Sequence, residues 1–274
     1  PGPIPRYEDA CLFGKGGAIA TAVVGDSHAA ALAPGFEPLL QASGTRARLL
    51  SAAGCPYIDD IRALSVIQGH CAAHTKRMQS AILKDREIRL VVIASRWPYA
   101  FHRQFFDNGE GGIEKGPDDG LEPDAARDRL FEKSLAELID ELRAAGKSIA
   151  IVYPVPEPGW NVPNYLVHDY LLGNDGGMPS ISEERWRDRA ASSIAMLDRL
   201  GEGDDMVRIR PAAEICGNPI PQRCILGEGG LPFFFDDDHP NQFGATRMIH
   251  SAARNQGVAQ ALTGIMQDGS ASSH

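Results

Sequence analysis

The stretch that decides the fold runs Ile19-Ala-Thr-Ala-Val-Val-Gly25-Asp26-Ser27-His28. Its first six residues form an apolar run with recurring β-branched side chains, which is typical of a strand buried in a parallel sheet. The run ends abruptly at Gly25, and the mostly alanine stretch that follows Ser27 predicts the start of a helix. Ligands of open α/β sheets bind where strands end in this way. The stretch therefore predicts that Ser27 lies at the functional edge of a sheet.

Two interpretations of Ser27 follow from its position at a helix start. A serine hydroxyl there lies beside unpaired backbone N–H groups, which can stabilise an oxyanion when the hydroxyl acts as a nucleophile. Alternatively, Asp26 or Ser27 is an ordinary helix N-cap. The stretch alone does not decide between the two.

A second polar cluster lies far downstream, in Phe-Phe-Phe-Asp-Asp-Asp-His-Pro at positions 233–240. A serine nucleophile needs a base, and the base needs an acceptor that holds its ring and tautomer. The spacing predicts that Asp236, three residues before His239, reaches the Nδ1 atom of that histidine. Asp236 is therefore expected behind the imidazole in preference to Asp237 or Asp238, because a carboxylate adjacent to the histidine tends to point away from the ring. The alternative is a solvated acidic turn before a helix.

Together, the Gly25-Asp26-Ser27 block and the Asp236-x-x-His239 block resemble the SGNH (GDSL-like) hydrolase superfamily. The longer match over positions 25–32 and 236–239 is similar to the SGNH domain fused to the C-terminus of membrane-bound acyltransferase family 3 proteins, which O-acylate bacterial surface glycans. The resemblance implies a catalytic triad of Ser27, His239 and Asp236. It also implies an oxyanion hole formed by the N–H groups of Ser27 and Gly54.

The third block departs from the general superfamily pattern. Where the superfamily places an asparagine as a second oxyanion donor, this chain has Ser95-Arg96-Trp97-Pro98, and the fused domains resemble it in carrying an Arg-Trp ending. Arg96 is therefore expected to replace the asparagine, and Trp97 to form a wall of the substrate site. Trp160 and Tyr165 are candidates for stacking on sugar rings, with simple loop packing as an equal alternative.

The order of apolar runs predicts the fold class. Strands at about 19–24, 45–51, 88–94, 148–153 and 206–209 alternate with amphipathic helices, which indicates a three-layer α/β/α sandwich around a five-stranded parallel, flavodoxin-like sheet. A single domain is predicted over 18–266. The Pro- and Gly-rich residues 1–17 are interpreted as a linker or N-terminal arm, and residues 267–274 as a flexible tail.

Composition limits the partners. A formal net charge of −9 argues against a nucleic acid or an anionic membrane surface as the main partner. No apolar run approaches the ~20 residues of a membrane span, and the N-terminal residues lack a signal peptide. The chain is expected to be a fragment of a longer protein.

The cysteines predict two disulfides and an oxidising compartment. Cys55 and Cys71 bracket one short loop, and Cys216 and Cys224 bracket another. Two bridged loops are typical of exported proteins. Buried free thiols in a cytosolic enzyme are the alternative. Cys11 is left without a partner.

No metal or cofactor is expected. Neither cysteine pair has the spacing of a zinc site. His70 and His74 have a metal-compatible spacing on a predicted helix but lack a third ligand, which favours a solvated helix face.

The sequence therefore predicts serine-dependent acyl transfer through an acyl-Ser27 intermediate. Both water and a sugar hydroxyl can accept the acyl group, so esterase and acyltransferase share one site. The resemblance favours O-acetylation of a bacterial surface glycan, such as O-antigen or exopolysaccharide. It also implies an N-terminal membrane acyltransferase domain, a periplasmic or extracytoplasmic location and tethering to the inner membrane. The isolated domain is expected to be a monomer that binds no nucleic acid.

Three rival functions remain open at this point. The first is a carbohydrate esterase. The second is a non-catalytic glycan-binding domain that has lost the oxyanion asparagine. The third is metal-dependent hydrolysis at the acidic run 236–238.

Overall fold

Five parallel strands form the centre of the molecule. A computed structural model describes residues 6–64, 68–102, 105–114, 124–174 and 177–254. Its strands are β1 (Leu12–Phe13), β2 (Ile19–Gly25), β3 (Arg46–Ser51), β4 (Leu90–Ala94), β5 (Ser148–Val152), β6 (Ser180–Ser182), β7 (Met206–Ile209), β8 (Arg223–Ile225), β9 (Gly227–Glu228) and β10 (Leu231–Pro232). The main sheet has the order β1-β3-β2-β4-β5-β7, and every pair in it is parallel except β1 with β3.

The sheet confirms the predicted fold class. Its parallel part has the strand order 2-1-3-4-5 of flavodoxin-like sheets when those strands are numbered along the chain. The sixth strand, β1, was not predicted and lies within the expected arm 1–17, where its pairing with β3 extends the sheet edge. The expected tail 267–274 lies outside the described residues.

Helices cover both faces of the sheet. They are α1 (Ser27–Leu32), α2 (Glu37–Ser43), α3 (Gly69–Lys84), α4 (Trp97–His102), α5 (Ala125–Ala144), α6 (Val162–Leu171), α7 (Glu183–Arg199), α8 (Ala212–Ile215) and α9 (Gln242–Arg254). Short 3₁₀ turns occupy Ala33–Phe36 and Ile61–Ala63.

Two apolar clusters, one on each face, hold the layers together. Helices α1, α2 and α9 bury side chains against Val23 and Val92, whereas α3 and α5 pack against Val24 and Ile93. Helix α7 contributes to both clusters. Burial of each such aliphatic side chain contributes about 1.5–3 kcal/mol. Because both faces are covered, the central strands are apolar throughout and not alternating, as the sequence showed.

The carboxyl ends of β2, β3 and β4 meet at one edge. Gly25 lies in register with Ser51 on one side and with Ala94 on the other. The connections that follow these neighbouring strands therefore begin side by side. This edge is where the switch in strand order opens a crevice.

Two loops are more ordered than their composition indicates. Residues 107–114 are rich in glycine and acidic residues, a composition typical of a mobile surface loop. In the structure, Asn108 is fully buried there and donates to the Pro158 carbonyl oxygen. The Pro-rich segment after β5 runs directly into helix α6, which begins at Val162. Among the described helices, none has the length and apolar character that crossing a bilayer requires.

Candidate active site

Ser27 and His239 meet at this edge although 212 residues separate them. Ser27 is the first residue of α1, and its Oγ lies 2.7 Å from Nε2 of His239. Nδ1 of His239 lies 2.8 Å from Oδ2 of Asp236. A hydroxyl, an imidazole and a carboxylate in this series have the geometry of a nucleophile, a base and an orienting acceptor.

The turn that carries His239 is fixed by its own first carboxylate. Oδ1 of Asp236 accepts hydrogen bonds from the backbone N–H groups of Asp238 at 3.0 Å and His239 at 2.7 Å. The loop after β5 fastens the same turn, because Gly159 N–H donates to the Asp237 carbonyl oxygen and Val162 N–H to that of Asp236. The imidazole is therefore held by local and by distant backbone contacts.

A second carboxylate also reaches the imidazole. Oδ1 of Asp238 lies 2.7 Å from Nδ1 of His239, a contact that the spacing argument did not anticipate. Burial disfavours the His239 charge, but hydrogen bonds to Asp236 and Asp238 outweigh it and raise the pKa of His239 to about 10. Burial also opposes the Asp238 charge. The hydrogen bonds from His239 and His28 prevail there and hold the pKa of Asp238 well below its usual range.

Asp26 connects the ends of two strands. It is the N-cap of α1, so the N-cap interpretation holds for this residue, and its Oδ1 accepts from His28 N–H at 2.9 Å. Its Oδ2 accepts from the backbone N–H of Arg96, also at 2.9 Å. Burial raises the pKa of Asp26 despite these contacts. Asp26 thereby fixes the Ser27 turn relative to the segment after β4.

Gly54 lies on the connection after β3, beside the Ser27 turn. Ala52 N–H donates to the Gly25 carbonyl oxygen at 3.0 Å, which joins this connection to the end of β2. Gly54 has a φ of 71°, a left-handed conformation that favours glycine. Within the described part of the chain, neither its N–H nor that of Ser27 has a hydrogen-bond acceptor. Both donors are therefore available to a ligand.

Arg96 is oriented differently from the sequence expectation. Its guanidinium contacts Glu114 at 2.6 Å, Asp238 at 2.9 Å and Glu157 at 3.0 Å. Nε donates a hydrogen bond to Glu157, Nη1 donates to Glu114, and Nη2 donates to both glutamates, while Nη1 also forms an ion pair with Asp238. Three carboxylates therefore engage the guanidinium, and this geometry argues against Arg96 as the replacement for asparagine.

Trp97 does not line the substrate site. The side chain is fully buried in the core, and its indole N–H donates to the Val152 carbonyl oxygen at 2.7 Å. The apolar ring and its satisfied donor therefore belong to the packing between α4 and β5. The expectation that Trp97 forms a wall of the site is wrong.

Three other aromatic side chains flank the catalytic turn. Trp160 and Tyr165 contact each other with ring centroids 5.3 Å apart, and Trp160 also packs on the core. Phe235 stacks on His239, with centroids 5.5 Å apart and rings 12° from parallel, yet it is 54% exposed. Sequence reasoning missed Phe235, because it follows two similar residues, Phe233 and Phe234, that are fully buried.

Both predicted disulfides are present. Cys55 pairs with Cys71 and Cys216 with Cys224, with Cα atoms 5.2 Å and 3.9 Å apart. Cys11 is exposed and unpaired. The Cys55–Cys71 bridge directly follows Gly54, so it restrains the connection that carries this candidate donor.

The groups that could hold a cation are already engaged. Asp236, Asp237 and Asp238 lie close enough for a shared ion, as do His28, Asp238 and His239. However, Arg96 contacts Asp238, and a guanidinium beside the carboxylate opposes a second cation. His70 lies against the Cys55–Cys71 disulfide, and His74, expected on a solvated face, is buried with Nε2 3.4 Å from the Leu50 carbonyl oxygen.

Comparisons with known proteins agree with the fold. A family profile described as "SGNH domain (fused to AT3 domains)" matches residues 2–254. The periplasmic domain of a lipopolysaccharide acetyltransferase from Salmonella ser. Paratyphi A superposes with a TM-score of 0.58 at 16% identity, over 88% of this chain and 84% of that chain.

Two other solved structures show weaker likeness. A putative acylhydrolase from Bacteroides fragilis NCTC 9343 gives a TM-score of 0.43 at 9% identity, covering 93% of this chain and 91% of that chain. A GDSL-like lipase from Bacteroides thetaiotaomicron VPI-5482 gives 0.40 at 9% identity, covering 86% and 87%. No curated protein matches the chain in sequence.

Proposed function

The chain belongs to the family of SGNH domains that are fused to AT3 domains, and from this premise we propose that it transfers an acyl group through Ser27 to a hydroxyl of a bacterial envelope glycan. Membership of the family supports acyl transfer or hydrolysis as the class of reaction. The observation that carries the proposal is the 2.7 Å contact between Ser27 Oγ and His239 Nε2, with Asp236 behind the ring.

In the proposed reaction, the neutral form of His239 takes the proton of Ser27 while Oγ attacks the carbonyl carbon of an acyl donor. The raised pKa of His239 makes this neutral form more abundant toward alkaline pH. The tetrahedral oxyanion accepts hydrogen bonds from the N–H groups of Ser27 and Gly54. The donor's leaving group then departs with the proton from His239, which leaves an acyl-Ser27 ester. An acceptor hydroxyl gives its proton to His239 and attacks this ester; His239 then returns the proton to Oγ of Ser27 as the acylated product leaves.

Two observations support a glycan as the acceptor. The Salmonella domain with the same fold is part of a lipopolysaccharide acetyltransferase, which supports acetyl as the group and a glycan as the acceptor. Phe235, Trp160 and Tyr165 supply aromatic faces beside the catalytic turn, and such faces suit the apolar side of a pyranose ring. Phe235 is the more direct candidate, because its exposed ring stacks on His239.

A partner domain and a location complete the proposal. The family description supports fusion to an AT3 domain, which would deliver the acyl group from the membrane side. The two disulfides suit an oxidising compartment, as does the periplasmic origin of the Salmonella domain. We place this domain in the periplasm, tethered to the inner membrane by the AT3 domain.

A fluorophosphonate probe tests the chemistry. The wild-type domain should be labelled at Ser27, and Ser27→Ala should abolish labelling. Ser43→Ala is the matched control, because Ser43 is a buried hydroxyl that bonds the Leu40 carbonyl oxygen away from the site. Labelling that persists in Ser27→Ala would contradict the proposed nucleophile.

The acceptor is tested in cells that produce the full-length protein. Mass spectrometry of the envelope glycan should show acetyl groups that disappear with Ser27→Ala. If the acetyl content instead rises in that variant, the domain is an esterase. A glycan that is unchanged while the probe still labels Ser27 would exclude this acceptor but not the nucleophile.

A further inference from the structure

Asp238 is the better buried of the two carboxylates at Nδ1 of His239, and the mechanism above does not use it. It is 4% exposed, against a half-buried Asp236. Its Oδ1 lies 2.7 Å from Nδ1 of His239, and its Oδ2 lies 3.2 Å from His28 Nε2 and 2.9 Å from Arg96 Nη1. Two carboxylate oxygens therefore lie within 2.8 Å of Nδ1, where Asp236 takes the hydrogen bond and Asp238 forms an ion pair with the ring.

We propose that Asp238 is a second positioning residue, which shares with Asp236 the task of holding the Nδ1–H tautomer of His239 and stabilising its imidazolium. The inference rests on the proposed function, because it assigns His239 the role of the base. It deepens that function by replacing a single orienting carboxylate with a pair.

The surroundings keep Asp238 ionised and aimed at the ring. A buried carboxylate without partners would take up a proton, because burial disfavours its charge. The Arg96 guanidinium supplies the opposing charge, and it is itself held by Glu114 and Glu157. Arg96 therefore stabilises the ionised form of Asp238 and fixes the position of its carboxylate.

His28 is the third side chain in contact with the Asp238 carboxylate, besides His239 and Arg96. Because its partner is a carboxylate, Nε2 of His28 carries the proton and donates to Oδ2 of Asp238. Its other nitrogen, Nδ1, is buried and has no hydrogen-bond partner in the described part of the chain. An unpaired buried nitrogen is costly. The contact with Asp238 is thus the single hydrogen bond that the described structure gives to this ring.

The charged groups around the imidazole come from five segments. They are Asp236, Asp237 and Asp238 on its own turn, Asp26 and His28 at the start of α1, Arg96 after β4, and Glu114 and Glu157 behind Arg96. The two carboxylates in contact with Nδ1 favour the protonated ring. Asp236 and Asp238 therefore also stabilise the transition state, in which His239 carries the Ser27 proton and a positive charge.

Direct titration of His239 tests the pair without any substrate. In ¹⁵N-histidine-labelled protein, the ring nitrogens of His239 should titrate well above the ordinary value of about 6.5. Asp238→Asn should lower that pKa by about one unit or more, since it removes one of the two charges. Asp237→Asn is the matched control: its side chain lies on the same turn, and the structure gives it no contact with the ring, so the pKa should hardly move.

Activity on a small ester, p-nitrophenyl acetate, gives the second measurement. Asp236→Asn and Asp238→Asn should each lower kcat/KM by about tenfold to a hundredfold, because one acceptor still selects the tautomer. The double variant should lose more than the product of the two single effects. A merely structural role of Asp238 would give a loss without a shift of the His239 pKa.

The outcomes separate the two proposals. The proposed role of Asp238 is wrong if Asp238→Asn leaves the pKa of His239 unchanged. It is also wrong if the loss of kcat/KM in the double variant equals the product of the losses in the two single variants. In both cases labelling of Ser27 can persist, so the proposed function is unaffected. If Ser27 does not label while His239 titrates as expected, the proposed function fails and the pair of acceptors remains. Should Asp238→Asn fail to fold, the wild-type titration decides, because a pKa near 6.5 contradicts the pair.

Discussion

A β-carbon placed on Gly25 would stand 1.7 Å from the carbonyl oxygen of Ala94. The end of β2 thus passes so close to the end of β4 that only a residue without a side chain fits between them. Gly25 also has a φ of 135°, which side chains rarely permit. This close approach brings Asp26 within reach of the Arg96 N–H and positions Ser27.

Gly25→Ala should therefore displace Ser27 and abolish fluorophosphonate labelling, with a loss of about 1–3 kcal/mol in the free energy of unfolding from overpacking. Gly17→Ala is the control, since an added β-carbon there meets no atom within 4 Å. Chemical denaturation and labelling check both variants. Normal labelling of Gly25→Ala would show that the turn tolerates the shift.

Arg96→Ala should destabilise the domain strongly. It leaves Glu114 and Asp238 without their guanidinium partner and Glu157 with Arg189 alone, and breaking a buried ion pair costs about 3–5 kcal/mol. An exposed pair provides the control: Arg62→Ala removes a surface contact with Asp60 and should leave the unfolding midpoint nearly unchanged. An Arg96→Ala domain with normal stability but little turnover would restore the oxyanion-donor role.

Glu157 should make stability depend on acid pH. Burial opposes its charge, but Arg189 and Arg96 prevail and lower the pKa of Glu157 from 4.5 to about 2. A pKa lower in the folded state means stability that is present above 4.5 and is lost as the pH falls toward 2.

Glu157→Gln should consequently differ most from wild type at neutral pH, and the difference should shrink on acidification. Denaturation curves at several pH values measure it. Glu87→Gln, at an exposed glutamate, controls for the loss of one negative charge. A constant difference across this pH range would contradict the linkage.

The Cys55–Cys71 disulfide should affect activity as well as stability, because it restrains the segment after Gly54. Replacing both cysteines with alanine should cost about 3 kcal/mol for a loop of this length and lower the rate of Ser27 labelling. Cys11→Ser, at the exposed free thiol, should change neither. The rate of Ser27 labelling is measured at a low probe concentration, where a slower reaction can be resolved. An unchanged rate would show that Gly54 keeps its place without the bridge.

Phe235→Ala should raise KM for the glycan acceptor and leave hydrolysis of p-nitrophenyl acetate within about twofold, if the ring stacks on a sugar. Leu231→Ala is matched to it, since both side chains are 54% exposed and only Phe235 stacks on His239. If Phe235→Ala impairs the reactions of both substrates equally, the ring of Phe235 positions the His239 imidazole and does not bind the sugar. Phe235→Trp should preserve acceptor binding.

The amino-acid sequence determined the features that depend on neighbouring residues. The five apolar runs predicted the five parallel strands, since strands buried on both faces are apolar throughout. The abrupt strand end at Gly25 placed Ser27 at the sheet edge, and the three-residue spacing placed Asp236 at Nδ1 of His239. The bracketed loops predicted both disulfides. Each of these follows from short segments whose geometry is nearly fixed by residue type and spacing.

The tertiary structure decided which way the side chains around those segments point. Asp238 turns inward because His28 and Arg96 contact its carboxylate, which would otherwise be costly to bury. These two residues lie 210 and 142 positions away from Asp238 along the chain. Arg96 faces three carboxylates and Trp97 enters the core, where a local pattern had suggested a donor and a wall. Such orientations depend on charges and cavities contributed by distant parts of the chain, and only folding brings these together.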